Sequence, residues 1–316
     1  MSWLSDEKRV TLARRTFAVI RQCKKKISPF PLHCAHLFVT LHEILKSMMK
    51  FISLGSGSSG NAYYLSTGST SILIDAGVAI RTMVRNLKEY HIDIRQIDAV
   101  FITHDHADHI KSVGYLANDY NRMVYATEPV HMGINRNYCV SSKLTSAHTR
   151  YIEKGVPIEV GDLRITPFSV PHDSSDCVGY RIEAEGITFC LATDVGQSTA
   201  EIEEEVARAN YLVLEANHDE DMLMMGSYPN YLKARIRSGR GHMSNKEAAR
   251  LIAEHATPRL RHVWLCHLSE ENNHPELARK TVETVLKEYG IVAGVDFKLD
   301  ILKRKQPSEV YELTIN

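Results

Sequence analysis

The densest group of chemically active residues in the sequence is the segment His104–His109, which reads HDHADH and directly follows the apolar run Ala99–Thr103. Imidazole and carboxylate groups are the natural ligands of zinc and similar divalent ions. Three histidines and two aspartates within six residues cannot all be satisfied by ordinary core packing. The strand end fixes His104 and His106, and the turn into the next helix brings the last two residues to a neighbouring point. The spacing therefore predicts two metal ions side by side with a shared water.

The pattern HxHxDH at 104–109 resembles the signature of the metallo-β-lactamase superfamily, and the remaining superfamily motifs occur in order. A strand-end aspartate, Asp75, lies in ILIDAG, and a lone downstream histidine, His172, lies in VPHD. Asp194 ends the apolar run LATD, and His267 lies in WLCHLS. The resemblance covers nearly all of residues 50–316. It implies an α+β fold, a four-layer αββα sandwich with a dinuclear metal site between its two sheets.

The resemblance also implies a role for each motif residue. It assigns His104, His106 and His172 to a first metal ion. It assigns Asp108, His109 and His267 to a second ion, and Asp194 as the ligand that bridges the two. Asp75 is expected to orient a ligand histidine, because carboxylate–histidine hydrogen bonds fix the tautomer. Zinc, manganese or iron suits this mixture of ligands. Two such ions would turn a bound water into a hydroxide nucleophile near neutral pH and would stabilise charge that develops on the substrate.

Three further segments narrow the choice within the superfamily. Leu214–Asp219 and Gly241–Asn245 resemble motifs of its nuclease-type branch, in which a glutamate and a histidine, here Glu215 and His242, relay a proton to the leaving group. Leu268–Pro275, which reads LSEENNHP, resembles the bacterial YycJ/WalJ exonuclease-like group. This resemblance implies a metal-dependent phosphodiester hydrolase, in detail a 5′-to-3′ exonuclease on double-stranded DNA. The predicted catalytic residues are Asp108, Glu215 and His242.

Substrate contacts are predicted in Leu268–Pro275 and in two further segments. The Gly/Ser loop Ser53–Asn61 leaves backbone N–H groups free and could approach a phosphate, although a tight turn between strands explains it equally well. The basic run Lys233–Arg240 leads into His242, and it is either a phosphate clamp or a solvated helix face. The predicted substrate-binding residues are Ser56, Ser58, Asn61, Arg235, Arg237, Asn272 and Asn273.

Two other functions remain open from the sequence. A phosphodiesterase on small or cyclic nucleotides would use the same metals without a DNA-binding surface, and a thioester or lactam hydrolase is favoured by the fold alone. No long insertion separates Asp194 from His267, which argues against the RNA-processing β-CASP branch. Residues 50–316 carry 29 basic and 35 acidic residues, because nine of the 38 basic and three of the 38 acidic residues lie in 1–49. A contact with DNA should therefore be local and dependent on salt.

Short β-branched runs alternate with helical periods, and these elements must position the motif residues. The predicted strands are Lys50–Leu54, Ala62–Ser66, Ser71–Asp75, Ala99–Thr103, Val124–Ala126, Arg164–Val170, Gly179–Ala184, Thr188–Ala192, Tyr211–Leu214 and His262–Leu265. The predicted helices are Ile80–Tyr90, His109–Asp119, Glu201–Ala209, Asn245–His255 and Pro275–Tyr289. Two strand-rich halves, each followed by helices, indicate two sheets packed together with helices outside.

The first 48 residues differ from the rest of the chain in charge and in their predicted secondary structure. Two predicted helical pieces, Asp6–Lys26 and about His33–Met49, carry a basic excess, and the strand pattern begins abruptly at Met49. We interpret residues 1–48 as a basic N-terminal extension that is loosely ordered or not native, and residues 49–316 as the hydrolase domain. No run of eighteen apolar residues occurs, so no membrane span is predicted. Six cysteines without paired spacing favour reduced thiols in a cytoplasmic protein.

Removal of residues 1–48 is expected to leave folding and hydrolysis intact, because the regular strand pattern starts after them. The measurement compares the full-length protein with a chain that starts at Met49, by thermal unfolding and by hydrolysis of a chromogenic phosphodiester. An insoluble or inactive short chain beside an active full-length chain would instead make residues 1–48 part of the structure.

Overall fold

The computed structural model describes residues 49–315. The extension 1–48 and its two predicted helical pieces lie outside the described residues, apart from Met49, which begins a strand rather than ending a helix. The domain boundary at residue 49 therefore stays a prediction. None of the helices between residues 49 and 315 has the length and apolarity that a membrane crossing requires.

The first of two mixed sheets has seven strands. In spatial order they are Tyr311–Leu313 (β14), Met49–Gly55 (β1), Ala62–Ser66 (β2), Ser71–Ile74 (β3), Ala99–Phe101 (β4), Met123–Ala126 (β5) and Thr149–Tyr151 (β6). The pairings from β14 to β3 are antiparallel, and those from β3 to β6 are parallel. Ile74 at the end of β3 lies opposite Phe101 at the end of β4.

The second sheet also has seven strands and repeats this arrangement. Its strands are Ile158–Val160 (β7), Leu163–Ser169 (β8), Val178–Ala184 (β9), Ile187–Ala192 (β10), Tyr211–Glu215 (β11), His262–Cys266 (β12) and Lys298–Ile301 (β13). Antiparallel pairs join β7 to β10, and parallel pairs join β10 to β13.

Apolar side chains hold the two sheets face to face. Between them, the ring of Phe51 lies 4.9 Å from that of Trp264 and 5.1 Å from that of Phe189, centroid to centroid. The outer face of each sheet is also apolar and is covered by helices, so that the described residues form three buried hydrophobic clusters. A sheet that is buried on both faces needs a layer on each side. The predicted four-layer αββα sandwich is confirmed.

Helices cover both outer faces. On the first sheet they are Ile80–Glu89 (α1), Ala107–Ile110 (α2), Val113–Asn118 (α3) and Glu128–Arg136 (α4). On the second they are Ala200–Arg208 (α5), Asn245–His255 (α8) and Pro275–Glu288 (α9). Two short helices, Glu220–Met225 (α6) and Asn230–Ile236 (α7), lie between β11 and α8 in the chain.

The single helix predicted over His109–Asp119 is wrong, because the structure has two helices there. Ser112 separates them: its hydroxyl donates to the carbonyl of Val78 at 2.7 Å, and its N–H donates to the carbonyl of Ala76 at 2.8 Å. These bonds tie the chain to the loop after β3 instead of continuing the helical ladder.

The carboxyl ends of the parallel strands carry the motif residues. In the second sheet, Asp194 follows β10, Glu215 ends β11 and His267 follows β12. In the first sheet, Asp75 follows β3, and His104 lies just after β4. Neighbouring parallel strands end at the same edge of a sheet, which is where open α/β sheets bind ligands. The fold therefore brings these residues to one edge of the sandwich.

Candidate metal centre

The HDHADH segment turns at the edge of the first sheet, and the neighbouring backbone holds it in place. The N–H of Ala76 donates to the carbonyl of His109 at 2.7 Å, and the N–H of Asn61 donates to the carbonyl of Asp108 at 2.8 Å. A Cβ on Gly77 would lie 1.6 Å from that Asp108 carbonyl oxygen, so the approach requires a glycine. These contacts fix the turn that carries four of the predicted ligands.

Three residues of the predicted site have a left-handed backbone. Asp75, Asp194 and His267 have φ angles of 62°, 56° and 54°. This region is uncommon for residues other than glycine, although Asp and His tolerate it better than most. Backbone strain of this kind concentrates at functional sites. Here it falls on two predicted metal ligands and on the residue predicted to orient a third.

Asp75 is fully buried and bonds to the ring of His109. His109 Nδ1 lies 2.8 Å from Asp75 Oδ2. Thr103 donates its N–H to Asp75 Oδ1 at 2.8 Å and its hydroxyl at 3.0 Å. Burial raises the pKa of Asp75, and the neighbouring His109 and Thr103 oppose that rise. A carboxylate bound to Nδ1 fixes the ring, so that Nε2 is the nitrogen available to a metal.

Three histidines form a first cluster of metal-binding atoms: His104, His106 and His172. His172 Nε2 lies 3.2 Å from His106 Nδ1, and His172 Nδ1 lies 3.0 Å from the carbonyl oxygen of Gly241. His104 Nε2 is buried and has no hydrogen-bond partner among the described residues. Burial lowers the pKa of His104 well below its ordinary value, which keeps the ring neutral. A buried nitrogen without a partner costs free energy, and a cation is the partner that this donor set fits.

Asp108, His109 and His267 form a second cluster, and Asp194 lies between the two. Asp108 Oδ2 is 3.3 Å from His267 Nε2 and 3.7 Å from His109 Nε2. Asp194 Oδ2 is 3.3 Å from His109 Nε2, while Asp194 Oδ1 is 3.8 Å from His172 Nε2 in the first cluster. Within each cluster the ligand atoms lie within 4.8 Å of one another. The residues of both clusters therefore fit divalent-metal binding.

Residues 70–267, which include all seven predicted ligands, match the family model described as the beta-lactamase superfamily domain. The chain belongs to the metallo-β-lactamase superfamily. The candidate ligand clusters, the strained strand ends and the buried Asp75–His109 pair lie within this domain.

Several named proteins are similar to this chain over most of its length. The chain is 33% identical over 262 residues to exodeoxyribonuclease YycJ of Bacillus anthracis, which covers 83% of this chain and 98% of YycJ. It is 36% identical over 250 residues to exodeoxyribonuclease WalJ of Streptococcus pneumoniae, which covers 79% of this chain and 93% of WalJ. The crystal structure of YhfI, a metallo-β-lactamase fold protein from Bacillus subtilis, has a TM-score of 0.62 at 21% identity and covers 84% of this chain and all of YhfI, 100%. The protein is a metallo-hydrolase that acts on ester bonds, as predicted.

Glu215 and His242 meet beside the predicted metal ligands. Glu215 Oε1 lies 2.8 Å from His242 Nδ1 and 3.0 Å from His267 Nδ1. Burial opposes the charged form of both groups. The opposite charges and the hydrogen bond between them outweigh burial, so the pKa of Glu215 is lowered and that of His242 is raised. The His242 side chain is 19% exposed, whereas that of Glu215 is fully buried. A protonated imidazole held by a buried carboxylate can donate a proton to a bound substrate.

The predicted substrate-binding residues differ in position: some lie at the site, some are buried and some are exposed. Asn61 lies within the site, since its Nδ2 is 2.9 Å from His109 Nε2, and Arg235 lies beside it. Ser56, Asn272 and Asn273 are buried. Ser56 Oγ accepts the N–H of His267 at 2.9 Å, and Asn273 Nδ2 donates to the carbonyl of Ala216 at 2.9 Å. These contacts give Ser56 and Asn273 a structural task and leave Ser58 and Arg237, which are exposed, as candidates for substrate contact.

Three residues that support the site were not singled out from the sequence. Asp173 Oδ1 lies 3.6 Å from His172 Nε2. Arg240 donates from Nη2 to the carbonyl of His172 at 2.9 Å. Asn217 Nδ2 donates to the carbonyl of His267 at 2.9 Å. Asp173 directly follows His172 in the sequence, and Arg240 ends the basic run two residues before His242, which were the available signals.

Metal binding to the metal-free protein at neutral pH is expected to release about two protons per chain. Burial opposes the charge on His109, but the carboxylates of Asp194, Asp75 and Asp108 outweigh it and raise its pKa to about 10. Burial is likewise outweighed at His267, whose pKa is raised by Asp194, Asp108 and Glu215. Both rings therefore hold a proton that a metal must displace, and affinity should rise with pH up to about 10. Calorimetry in buffers of different ionisation enthalpy counts these protons, and a count of zero would contradict protonated rings at His109 and His267 in the metal-free protein.

Proposed function

We propose that the protein is a metal-dependent DNA exonuclease that degrades double-stranded DNA in the 5′-to-3′ direction. The observation that carries the proposal is the Glu215–His242 pair, with its 2.8 Å contact beside two clusters of metal ligands. It is supported by the relatives named exodeoxyribonuclease, which match this chain over nearly their whole length. The preference for double-stranded DNA and the direction of digestion are both part of the proposal.

Two divalent ions, zinc, manganese or iron, would be held by the two clusters. We assign one ion to His104, His106 and His172, the other to Asp108, His109 and His267, and both to Asp194. When bound, such ions lower the pKa of water and stabilise negative charge on a phosphate. Asp108 and Asp194 also offset part of the positive charge of two ions in one cavity.

The chain's own residues orient the ligands and supply the proton. Asp75 holds the ring of His109, and Glu215 contacts both His267 and His242. The bond from His242 Nδ1 to Glu215 leaves Nε2 as the nitrogen that faces a substrate. Cleavage of a phosphodiester leaves an alkoxide that must gain a proton, and His242 is positioned to donate it. Glu215 retains the charge that stabilises the imidazolium before the transfer.

The remaining features of the proposal concern substrate and compartment. The predicted phosphate contacts Arg235 and Arg237 are exposed and lie in a basic run beside the site. Cys177, Cys190 and Cys266 are buried free thiols, which agrees with a reducing compartment, and we propose the cytoplasm.

A panel of substrates tests the proposed function. The metal-loaded protein is assayed with end-labelled duplex DNA, single-stranded DNA, RNA and bis(4-nitrophenyl) phosphate. We expect duplex DNA to be degraded with the highest kcat/KM. Hydrolysis of the small phosphodiester without cleavage of DNA would favour a small-molecule phosphodiesterase, and cleavage of RNA in preference to DNA would assign a ribonuclease.

A further inference from the structure

We propose that the segment Glu220–Arg240, here called the arm, holds the DNA strand that enters the site, and that Tyr231 stacks on a base of that strand. This proposal rests on the proposed nuclease function. It assigns a task to exposed residues that the superfamily motifs leave unused. The arm contains α6 and α7 and the loops that follow each of them.

The arm carries a basic excess. Its two acidic residues, Glu220 and Asp221, stand at its start, and four basic residues follow: Lys233, Arg235, Arg237 and Arg240, of which Arg235 is paired with Asp173. Residues 50–316 as a whole carry more acidic than basic residues, 35 against 29. A local excess of cations on a net acidic protein attracts a polyanion to that place and to few others. The arm is therefore a local site for a phosphate backbone.

Contacts of the arm place it along the candidate metal centre. Arg235 forms two hydrogen bonds with Asp173, one of them from Nη2 to Oδ1 at 3.0 Å. Asp173 Oδ1 in turn lies 3.6 Å from His172 Nε2. On the opposite side, a Cβ on Gly226 would lie 2.7 Å from Asn272 Oδ1, in the loop that follows His267. The arm thus runs from a loop of the first ligand cluster to a loop of the second.

Three large apolar side chains of the arm are exposed. Their exposed fractions are 52% for Met224, 86% for Met225 and 76% for Tyr231. Tyr231 and Arg235 are four residues apart in α7, so they share one face of the helix. Arg235 on that face reaches Asp173 beside the metal ligands, and Tyr231 lies one helical turn away. The ring of Tyr231 is therefore exposed within one turn of the site.

Lys233 and Arg237 lie on the face of α7 away from Tyr231, because they follow it by two and six residues. There Arg237 Nη1 lies 3.4 Å from Met224 Sδ, and Lys233 Nζ donates to the carbonyl of Met224 at 2.8 Å. The arm as a whole therefore offers both groups that a nucleic-acid strand requires, cations for its phosphates and an aromatic ring for a base. A terminal nucleotide has to leave the duplex before it can enter a site, and its exposed base then needs a stacking partner. Tyr231 supplies that partner with Arg235 on the same face, and Lys233 and Arg237 are available to phosphates that pass the other side of α7.

Substitution of Tyr231 tests the proposal. Tyr231→Ala should raise KM for DNA ends about fivefold to a hundredfold. The loss on bis(4-nitrophenyl) phosphate should be much smaller, because that substrate has no base. Tyr231→Phe keeps the ring and should restore most of the activity on DNA. Tyr289→Ala is the matched control: Tyr289 is 47% exposed at the end of α9, and its loss should leave both activities unchanged.

Binding of a fluorescent phosphorothioate strand distinguishes the arm from the nuclease function. A wild-type protein that binds this strand but cuts no DNA, together with weaker binding by Tyr231→Ala, would support the arm and overturn the nuclease function. An abasic nucleotide placed successively from the 5′ end should abolish the difference between wild type and Tyr231→Ala at the stacked position. The arm proposal is overturned if Tyr231→Ala matches Tyr289→Ala in KM and Kd. Equal losses on DNA and on the chromogen would also overturn it.

Discussion

Asp194→Asn is expected to abolish hydrolysis of every substrate and to lower the metal content of the reconstituted protein. Asp194 Oδ2 lies 3.3 Å from His109 Nε2, and Asp194 Oδ1 lies 3.5 Å from His267 Nδ1 and 3.8 Å from His172 Nε2. The change removes a charge that both clusters share. Its effect should exceed the loss of about 10–100-fold that is typical of residues that only support a ligand. Metal analysis and a chromogenic phosphodiester assay measure the two outcomes.

Asp194→Asn removes the charge of the side chain without changing the backbone conformation that residue 194 requires. Asparagine has the shape of aspartate and tolerates the φ of 56° found at residue 194. Asp162→Asn is the control, because Asp162 also accepts hydroxyl hydrogen bonds, from Thr67 at 2.8 Å and Ser69 at 2.7 Å, but lies outside both clusters. It should retain its metal and its activity. Full metal content in Asp194→Asn would contradict the bridging assignment.

His242→Ala is expected to lower turnover on DNA by about 10²–10⁴-fold, the typical contribution of a positioned general acid. The loss on bis(4-nitrophenyl) phosphate should be much smaller, because nitrophenolate leaves without a proton. Metal content should stay unchanged, since His242 is not among the predicted ligands: its hydrogen bond goes to Glu215 at 2.8 Å, and its Nδ1 lies 3.7 Å from Asp194 Oδ1. Steady-state kinetics on both substrates and metal analysis are the measurements.

The two-substrate comparison decides between roles for His242. Equal losses on DNA and on the chromogen would indicate a structural or metal-binding role, and no loss on either would remove the proton relay. His255→Ala offers a control, because His255 lies at the far end of α8 and contacts Glu203 at 3.9 Å instead of the site. Glu215→Gln is less informative, since Glu215 also bonds to His267 at 3.0 Å and its loss would disturb a metal ligand.

The strands that carry the site could be predicted because their signal is strong. β10, β11 and β12 are apolar runs that are buried on both faces and end at an acidic residue or a histidine. The strands that were missed, β6, β7, β13 and β14, have three or four residues and are only partly buried, so neither a continuous apolar run nor a regular alternation marks them. They join the sheets at the edges, where pairing is decided by the rest of the fold.

Three helices, α4, α6 and α7, were not predicted, for different reasons. Helix α4 has a threonine before it and a proline at its start, which is a usable start signal that was overlooked. Helices α6 and α7 each bury a single residue, Leu223 and Ile236. With so little apolar surface they have no amphipathic period to detect. The position of the arm along the candidate metal centre follows from its contacts with Asp173 and Asn272, which only the structure gives.

The candidate metal ligands could be named from the sequence, but the way they are held could not. The motifs name Asp75 and His109, and only the structure gives their 2.8 Å contact. The left-handed φ of Asp194 and His267 has no sequence signal, because it is imposed by the turn from strand to loop. Ser56 was expected to contact substrate, and its hydroxyl instead accepts the N–H of His267 at 2.9 Å. This hydrogen bond joins two residues that are 211 positions apart in the sequence. A contact over such a distance cannot be inferred from the local sequence around Ser56.

The most direct measurement for the proposed exonuclease is end-resolved product analysis of one DNA duplex. The duplex carries a different label at the 5′ end and the 3′ end of the same strand, and the protein is loaded with manganese or zinc. We predict early release of the 5′ label as a mononucleotide, while the 3′ label stays on fragments that shorten with time. Removal of the metal should stop both events. Fragments of internal length from the first time points, or intact duplex beside rapid hydrolysis of bis(4-nitrophenyl) phosphate, would contradict an exonuclease.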